Sequence, residues 1–469
     1  MNIEAILKDR KKIIQKSIGF DYDQYTLSQI AFDYERMMSE QSLSYQQIID
    51  IQNDLGVGQT PLIELKNINS LVRQLSPDQF GARIFLKDEA CNPSGSFKAR
   101  RAAISCYLAK KMGYQGVLAA TSGNYGAAVA AMCAKLGLKC LILQECYDSH
   151  GLGQPEILEK ARACEAYGAQ VIQLTVGPEL FVVALDLLNK TGFFNASLYS
   201  PYGIAGLETL GVECVEQIRQ LTQQDPDAIV ITHAGGGNVT ATARGALRVN
   251  SQCQIIAASV DLKGLHMASD VDFNRKSFTT GHTGFGIPFA INPDRSDVPY
   301  SAARPLRYLD RYVTVKQGEV FYATELLARW EGLERGPAGN TSLAAAFVLA
   351  QRMRHNQTIV VQETEYTSAG KHSNAQLSFA KKQGIQIKVG NPEKEVAGQS
   401  IVFPQDPRQM RVSEIDCMQL RSSYIKHRCE NLVDKMISQT DVNFLAKDTK
   451  STEEFVLNQI ERYGIEVAI

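Results

Sequence analysis

From about residue 82 one pattern recurs: a short β-rich apolar run, a turn holding glycine or polar residues, then a helix-like stretch. The runs are ARIFLK (from Ala82), GVLAAT (from Gly116), KCLILQ (from Lys139), AQVIQL (from Ala169), DAIVIT (from Asp227), QIIAASV (from Gln254) and TIVVQE (from Thr358). Most lack polar alternation, and a strand that is apolar on both faces is covered on both faces, as in parallel sheets flanked by helices. Between runs, PEILEKARACEAYG opens on Pro155, suited to a first helical turn, and closes on Gly168, suited to a C-terminal cap. The pattern predicts an α/β fold of open, mostly parallel twisted sheets flanked by helices. With 469 residues it predicts two packed domains rather than one core. Residues 1–50 and those from 405 onward fall outside the alternation and read as amphipathic, charged helical appendages, candidates for binding a partner.

Charge narrows the partners. With 49 basic and 50 acidic side chains the net charge is −1, so no field of one sign draws the chain to nucleic acid or an anionic membrane. A small-molecule substrate fits better. The ten cysteines show no CxxC spacing, which argues against a zinc site or a disulfide framework and for a reducing, cytoplasmic compartment. No metal site is expected. The N-terminal MNIEAILKDRKKII is broken by charge, and no later apolar run approaches the ~20 residues of a membrane helix, so neither secretion nor insertion is expected.

Four segments carry chemistry. In Asn92-Pro-Ser-Gly-Ser-Phe-Lys98-Ala-Arg100 a lysine stands at a helix start, where burial and helix dipoles disfavour ammonium and favour imine formation with an aldehyde. A solvated surface charge is the blander alternative. Thr121-Ser122-Gly123-Asn124-Tyr125-Gly126 joins a strand to a helix, a geometry whose free N–H groups hold a carboxylate; Thr121 or Ser122 as a simple helix cap is the alternative. Gly235-Gly236-Gly237-Asn238 occupies the same kind of junction and suits a phosphate, or else is only a tight turn. With no GK[ST] and no GxGxxG opening the first unit, ATP and NAD are poor candidates. The fourth segment, Gln362 to His372, follows the strand TIVV, where ligands sit in open α/β sheets.

In this order the four segments, with Gly58-Gln-Thr-Pro-Leu62 and Lys87-Asp-Glu89, resemble the fold-type-II family of pyridoxal-phosphate enzymes, which is tryptophan-synthase-β-like, over roughly residues 55 to 395. The resemblance implies that Lys98 bonds the cofactor aldehyde and that Asn124 meets the ring hydroxyl. It further implies that Gly235, Gly236, Gly237 and Asn238 bind the phosphate, and that Ser122, Gly123, Asn124 and Tyr125 receive the substrate carboxylate. Thr367-Ser368-Ala369-Gly370 departs from the family's usual Thr-Gly or Ser-Gly, which leaves Thr367 and Ser368 both open as partner of the ring nitrogen, with Thr367 preferred. The domains it implies are residues 1–50 as a helical N-terminal appendage, 51–95 with 206–400 as the large cofactor-binding domain, 96–205 as the small substrate-side domain, and 401–469 as a C-terminal helical extension.

Longer stretches, among them VGQTPLIELKN, GLGQPEILEKARACEAYGAQVIQLTVGPELF and ERGPAGNTSLAAAF, are similar to the β subunits of thiolases acting on 2-amino-4-oxopentanoate in ornithine degradation. That resemblance implies cleavage by coenzyme A to alanine, in the D form, and acetyl-CoA. It also implies a small α subunit as partner, in a heterotetramer or with a dimer of this chain. Two other readings share the cofactor residues: β-elimination or replacement, as in diaminopropionate ammonia-lyase or threonine synthase, and a catalytically silent pyridoxal-phosphate subunit. Cys91 and Cys146 are candidate acyl carriers against a background in which buried thiols are ordinary. Asp148, His150, His282 and His372 lie in turn-like segments and need no special role, and Arg100, Arg101 and Arg244 read as surface charges as readily as coenzyme A contacts.

Overall fold

The computed structural model describes residues 3–40, 43–121, 123–148, 150–177, 179–263, 276–280, 287–294, 297–366, 372–432 and 435–468. In chain order its strands are β1 (Leu62–Glu64), β2 (Arg83–Asp88), β3 (Gly116–Thr121), β4 (Lys139–Tyr147), β5 (Gln170–Thr175), β6 (Phe194–Asn195), β7 (Ala228–Thr232), β8 (Gln254–Val260), β9 (Arg311–Val315), β10 (Thr358–Glu363), β11 (Gln386–Gly390), β12 (Ser400–Pro404), β13 (Ser413–Ile415), β14 (Met436–Ile437) and β15 (Glu466–Val467), the last two paired with each other. The larger sheet has the order β1-β2-β10-β7-β8-β9-β13 and the smaller β5-β4-β3-β6, while β11 pairs with β12. In the larger sheet β2, β10, β7, β8 and β9 run parallel, and antiparallel β1 and β13 close its two edges. The smaller sheet is parallel throughout.

The seven apolar runs all form strands. Burial explains why most do not alternate. On β2, Ile84 and Leu86 join one core cluster while Phe85 joins the other; on β7, Val230 opposes Ile229 and Ile231; on β10, Ile359 and Val361 oppose Val360. Each strand is therefore apolar on both faces because helices cover both. The exception is β5, the edge of the smaller sheet, where Gln170, Ile172, Gln173 and Thr175 are exposed. Strand β9 was not among the sequence runs; its Tyr-Val-Thr-Val is short and has a threonine inside it.

The helix Pro155–Ala166 begins with proline in its first turn, and Gly168 follows it at φ +84°, the left-handed geometry that suits glycine after a helix end. Helices at both chain ends pack into the main core: Ile14, Phe32 and Tyr34 from the N-terminal part, Tyr424, Val442 and Leu445 from the C-terminal part. They are also tied to each other, since the Ala31 amide donates to Asp441 and Arg428 donates to the Ile30 carbonyl. Among the described residues no helix is long and apolar enough to cross a membrane.

Candidate active site

Parallel strands deliver each motif from their C-terminal ends. Chain leaving β2 turns through Asn92–Phe97 into the helix Lys98–Lys111, so Lys98 is that helix's first residue. This turn is pinned to the end of β10: the Phe97 amide donates to the Thr364 carbonyl at 3.1 Å and the Tyr366 amide to the Gly95 carbonyl at 2.8 Å. Chain leaving β3 enters the helix Asn124–Leu136, and chain leaving β7 passes through Gly235 and Gly236 into the helix Gly237–Arg248. Because β7 and β10 are neighbours in the larger sheet, the glycine loop, the Glu363–Tyr366 segment and the lysine turn meet at one edge.

Between them lie two adjoining cavities that share Lys98, Phe97, Leu198, Thr232 and Ala234. The larger, of about 720 Å³, is also bounded by Gly123, Asn124, Tyr125, Glu156, Lys160 and Glu365. The smaller, of about 370 Å³, is bounded by the Gly235–Asn238 loop with Arg101 and His233. Burial, reinforced by the nearby Arg101 guanidinium, holds the Lys98 amine well below the ordinary lysine range, and the Glu365 carboxylate opposes the shift only in part. Lys98 is therefore disposed to be a neutral amine, with its Nζ over the Phe97 ring, 4.6 Å from the centroid.

The remaining sequence candidates fall as follows. Asn124 lines the larger cavity; its amide nitrogen donates to Glu365, and its Oδ1 is buried with no hydrogen-bond partner among the described residues. Gly123 and Tyr125 line the same cavity, and Thr121 caps the helix behind them, accepting from the amides of Gly123 and Gly126 at 3.0 and 3.3 Å. Gly236 takes φ +79°, a turn geometry that favours glycine, and the Arg101 guanidinium occupies the space beside Gly237 where a Cβ would lie. The Asn238 side chain is committed inward, donating to Gln362 at 2.8 Å and accepting from Thr242 at 3.3 Å, which leaves its backbone to face the cavity. Ser122, Thr367, Ser368 and His282 lie outside the described residues.

Several groups at the site were not singled out from sequence. Glu156 sits in the first turn of its helix, where an acid reads simply as favourable to the helix dipole. In the fold it faces Glu365, and burial with the Glu365 charge raises it well above the usual carboxylate range; burial raises Glu365 as well, with Lys160 pulling it back. One oxygen of each carboxyl is buried without a hydrogen-bond partner among the described residues. Two close, buried carboxyls do not both ionise, so the pair carries a proton into the cavity beside Lys98. His233 borders the glycine loop, and burial depresses it to about 3, which keeps it neutral.

The arginines correct an expectation. Arg100, Arg101 and Arg244 are not surface charges: Arg100 and Arg101 are 0% and 2% exposed, and Arg244 is held by Glu208 at 2.6 Å. The thiols offer little nucleophilicity. Burial and the Asp88 carboxylate raise Cys91, and burial pushes Cys146 to about 11. Asp148 is taken up by a buried ion pair with Lys276.

Residues 54–365 match the family described as pyridoxal-phosphate dependent enzyme. The chain belongs to that family. Among relatives, a protein named 2-amino-4-ketopentanoate thiolase beta subunit from Acetoanaerobium sticklandii is 59% identical over 456 residues, covering 97% of each chain. A second of the same name, from an unknown prokaryotic organism, is 59% identical over 463 residues, covering 98% of each. The crystal structure of a threonine deaminase from T.th. shares the fold with a TM-score of 0.52 at 24% identity, over 69% of this chain and 98% of that one. The cofactor of this pyridoxal-phosphate dependent enzyme fits the residues present: a lowered lysine amine suited to its aldehyde, an Asn124 oxygen unpartnered among the described residues, and a glycine-lined helix start suited to its phosphate.

Proposed function

We propose that this chain is the catalytic β subunit of a two-subunit thiolase that cleaves 2-amino-4-ketopentanoate (2-amino-4-oxopentanoate) with coenzyme A to D-alanine and acetyl-CoA. The observation that carries this is 59% identity, over 97% of both chains, to a protein of that name. The cavity supports it with a depressed lysine facing a proton-holding carboxyl pair. A cytoplasmic enzyme with a small α subunit, as a heterotetramer or around a dimer of this chain, completes the reading. The cofactor lies between the two sheets, with residues 51–95 and 206–400 forming the cofactor side and 96–205 the substrate side.

Bound pyridoxal phosphate supplies an aldehyde for the substrate amine and a conjugated ring that takes up electrons from Cα. Everything else falls to the chain. Lys98 anchors the cofactor and, once free, is a neutral base able to accept the Cα proton. The N–H groups at the start of the helix Asn124–Leu136 hold the substrate carboxylate, with Ser122, Gly123, Asn124 and Tyr125 around it, and so fix which Cα bond faces Lys98. Asn124 would turn from Glu365 to the ring hydroxyl, Thr367 would be the partner of the ring nitrogen, and the backbone of Gly235–Asn238 would take the phosphate. At the reacting ketone the coenzyme A sulfur bonds to C4, the C3–C4 bond breaks with its electron pair left on C3, and acetyl departs as the thioester. The thiol's proton is matched by one delivered to C3. The Glu156–Glu365 pair is positioned to hold and hand over that proton, and Lys98 returns the one at Cα.

The test is to mix the purified chain with its partner subunit, pyridoxal phosphate, 2-amino-4-ketopentanoate and coenzyme A and follow acetyl-CoA by mass, with Lys98→Ala as control. Acetyl-CoA that depends on Lys98 is expected, with no ammonia released. Ammonia release without coenzyme A would overturn thiolysis in favour of elimination, and a cofactor-loaded chain with no turnover would mark a silent subunit.

A further inference from the structure

Among the described residues Arg101 is a buried cation without a carboxylate. Its neighbour Arg100 donates to Glu89 at 2.7 Å and to Glu213 at 2.7 Å, and Arg244 pairs with Glu208. Arg101, 2% exposed, donates from Nη1 to the Leu198 carbonyl at 2.8 Å, while its Nε is buried with no hydrogen-bond partner among the described residues. Burial lowers it only to about 10, with the Tyr125 and Tyr199 phenols as its favourable neighbours, so it is charged at neutral pH. A guanidinium buried in this way is strongly disfavoured unless an anion joins it.

Its position says where that anion goes. Arg101 borders the smaller cavity together with Gly235, Gly236, Gly237 and Asn238, and its Nη2 lies in the space where a Cβ on Gly237 would stand. The guanidinium thus stands beside the start of the helix Gly237–Arg248, whose free N–H groups carry a partial positive charge of their own. Two positive ends facing one cavity repel each other when it is empty and reinforce each other around a dianion. The larger cavity, by contrast, has Glu156, Lys160 and Glu365 on its walls, a poor setting for a second anion-holding arginine.

We propose that Arg101 is a direct ligand of the cofactor's phosphate, adding a buried guanidinium to the backbone donors of the glycine loop. This rests on the reading above that the Gly235–Asn238 loop takes the phosphate. Through its charge Arg101 also helps hold Lys98 neutral, and a bound phosphate offsets part of that influence.

The experiment measures equilibrium binding of pyridoxal phosphate and of pyridoxal, which lacks the phosphate, by cofactor absorbance on the full chain with its partner subunit. Both ligands react with Lys98, so the ratio of their affinities isolates the phosphate. Wild type is expected to prefer the phosphorylated form. Arg101→Met should weaken pyridoxal phosphate by about 10- to 100-fold, the scale of a hydrogen bond to a charged group, while leaving pyridoxal within about 3-fold. Should Arg101→Met not fold, Arg101→Lys, which keeps the charge but loses the planar fork, decides by the same ratio, with about a 3- to 10-fold loss on the phosphorylated ligand alone. A wild-type preference that survives substitution unchanged, or an equal loss for both ligands, would overturn the proposal alone. A wild type indifferent to the phosphate would overturn the loop reading and the proposal with it.

Discussion

Arg100 and Arg101 are consecutive on one helix, yet they open onto opposite kinds of surroundings. Around Arg100 every charge has an answer: Glu89 and Glu213 accept from it, and Glu213 also accepts from Lys87 at 2.7 Å. Thr60 donates to Glu89 at 2.5 Å and Asn92 donates to it at 2.9 Å, and the Arg100 guanidinium holds the Glu213 carboxyl down to about 2 against burial. Two cations and two carboxylates thus tie the end of β2 and the lysine turn to the long helix Pro201–Thr222. On the cavity side several polar atoms have no partner among the described residues: Asn124 Oδ1, Arg101 Nε, and one oxygen each of Glu156 and Glu365. Buried polar atoms are normally paired, so such a cluster marks what a ligand completes. The contrast teaches that one region is closed for support and the other left open for chemistry.

The sharpest way to test that division is to remove one residue from each side. Lys98→Ala should abolish turnover, by about a thousand-fold or more, because it takes away both the cofactor anchor and the base. The urea midpoint of the cofactor-free chain should hardly fall, since a desolvated amine contributes little to folding. Arg100→Met should do the reverse. It leaves Glu89 and Glu213 with a missing cation in a buried setting, and a broken buried pair costs about 3 to 5 kcal/mol, readable by denaturant titration. Full stability in Arg100→Met would break the comparison.

A smaller effect sharpens it further through pH. Lys98 is lowered well below 10.5 in the folded chain, so between its folded value and 10.5 the unfolded state binds more protons than the folded one. The Lys98 contribution to the stability of the cofactor-free chain therefore rises with pH across that window, by up to about 1.4 kcal/mol per unit. Lys98→Met lacks this dependence. Its stability advantage over wild type should be present at pH 7 and shrink as pH approaches 10.5, as denaturant midpoints at pH 7, 8 and 9 would show. A constant difference would mean that Lys98 is charged in the folded state.

The same contrast explains what could be read in the sequence. Strands of the parallel sheets were legible because burial on both faces writes itself as an uninterrupted apolar run, and the motifs were legible because each is a local junction between strand and helix. Long-range pairing leaves no such trace. Asn124 meets Glu365 across 241 positions, and Arg100 and Arg101 are indistinguishable in composition and neighbours. Only the roughly 100° between consecutive positions of a helix sends one to carboxylates and the other to the glycine loop. Glu156 was hidden for a related reason: an acid in a first helical turn already has a sufficient local explanation.

The least effect is expected at the thiols, which neither region uses. Cys91 donates to Asp88 at 3.3 Å, so a carboxylate stands where an acyl-accepting thiolate would have to form. Cys146 is buried and pushed up to about 11, leaving about one part in ten thousand as thiolate at pH 7. A protein-bound acyl thioester would require one of them to be a better nucleophile than the thiol of coenzyme A itself, and each is made worse by its setting. The double variant Cys91→Ala, Cys146→Ala should therefore retain wild-type turnover within about 2-fold, as expected of positions without a functional contact. A collapse of turnover with cofactor binding intact would instead put a covalent acyl step inside this chain and move the coenzyme A attack from the ketone to an enzyme thioester.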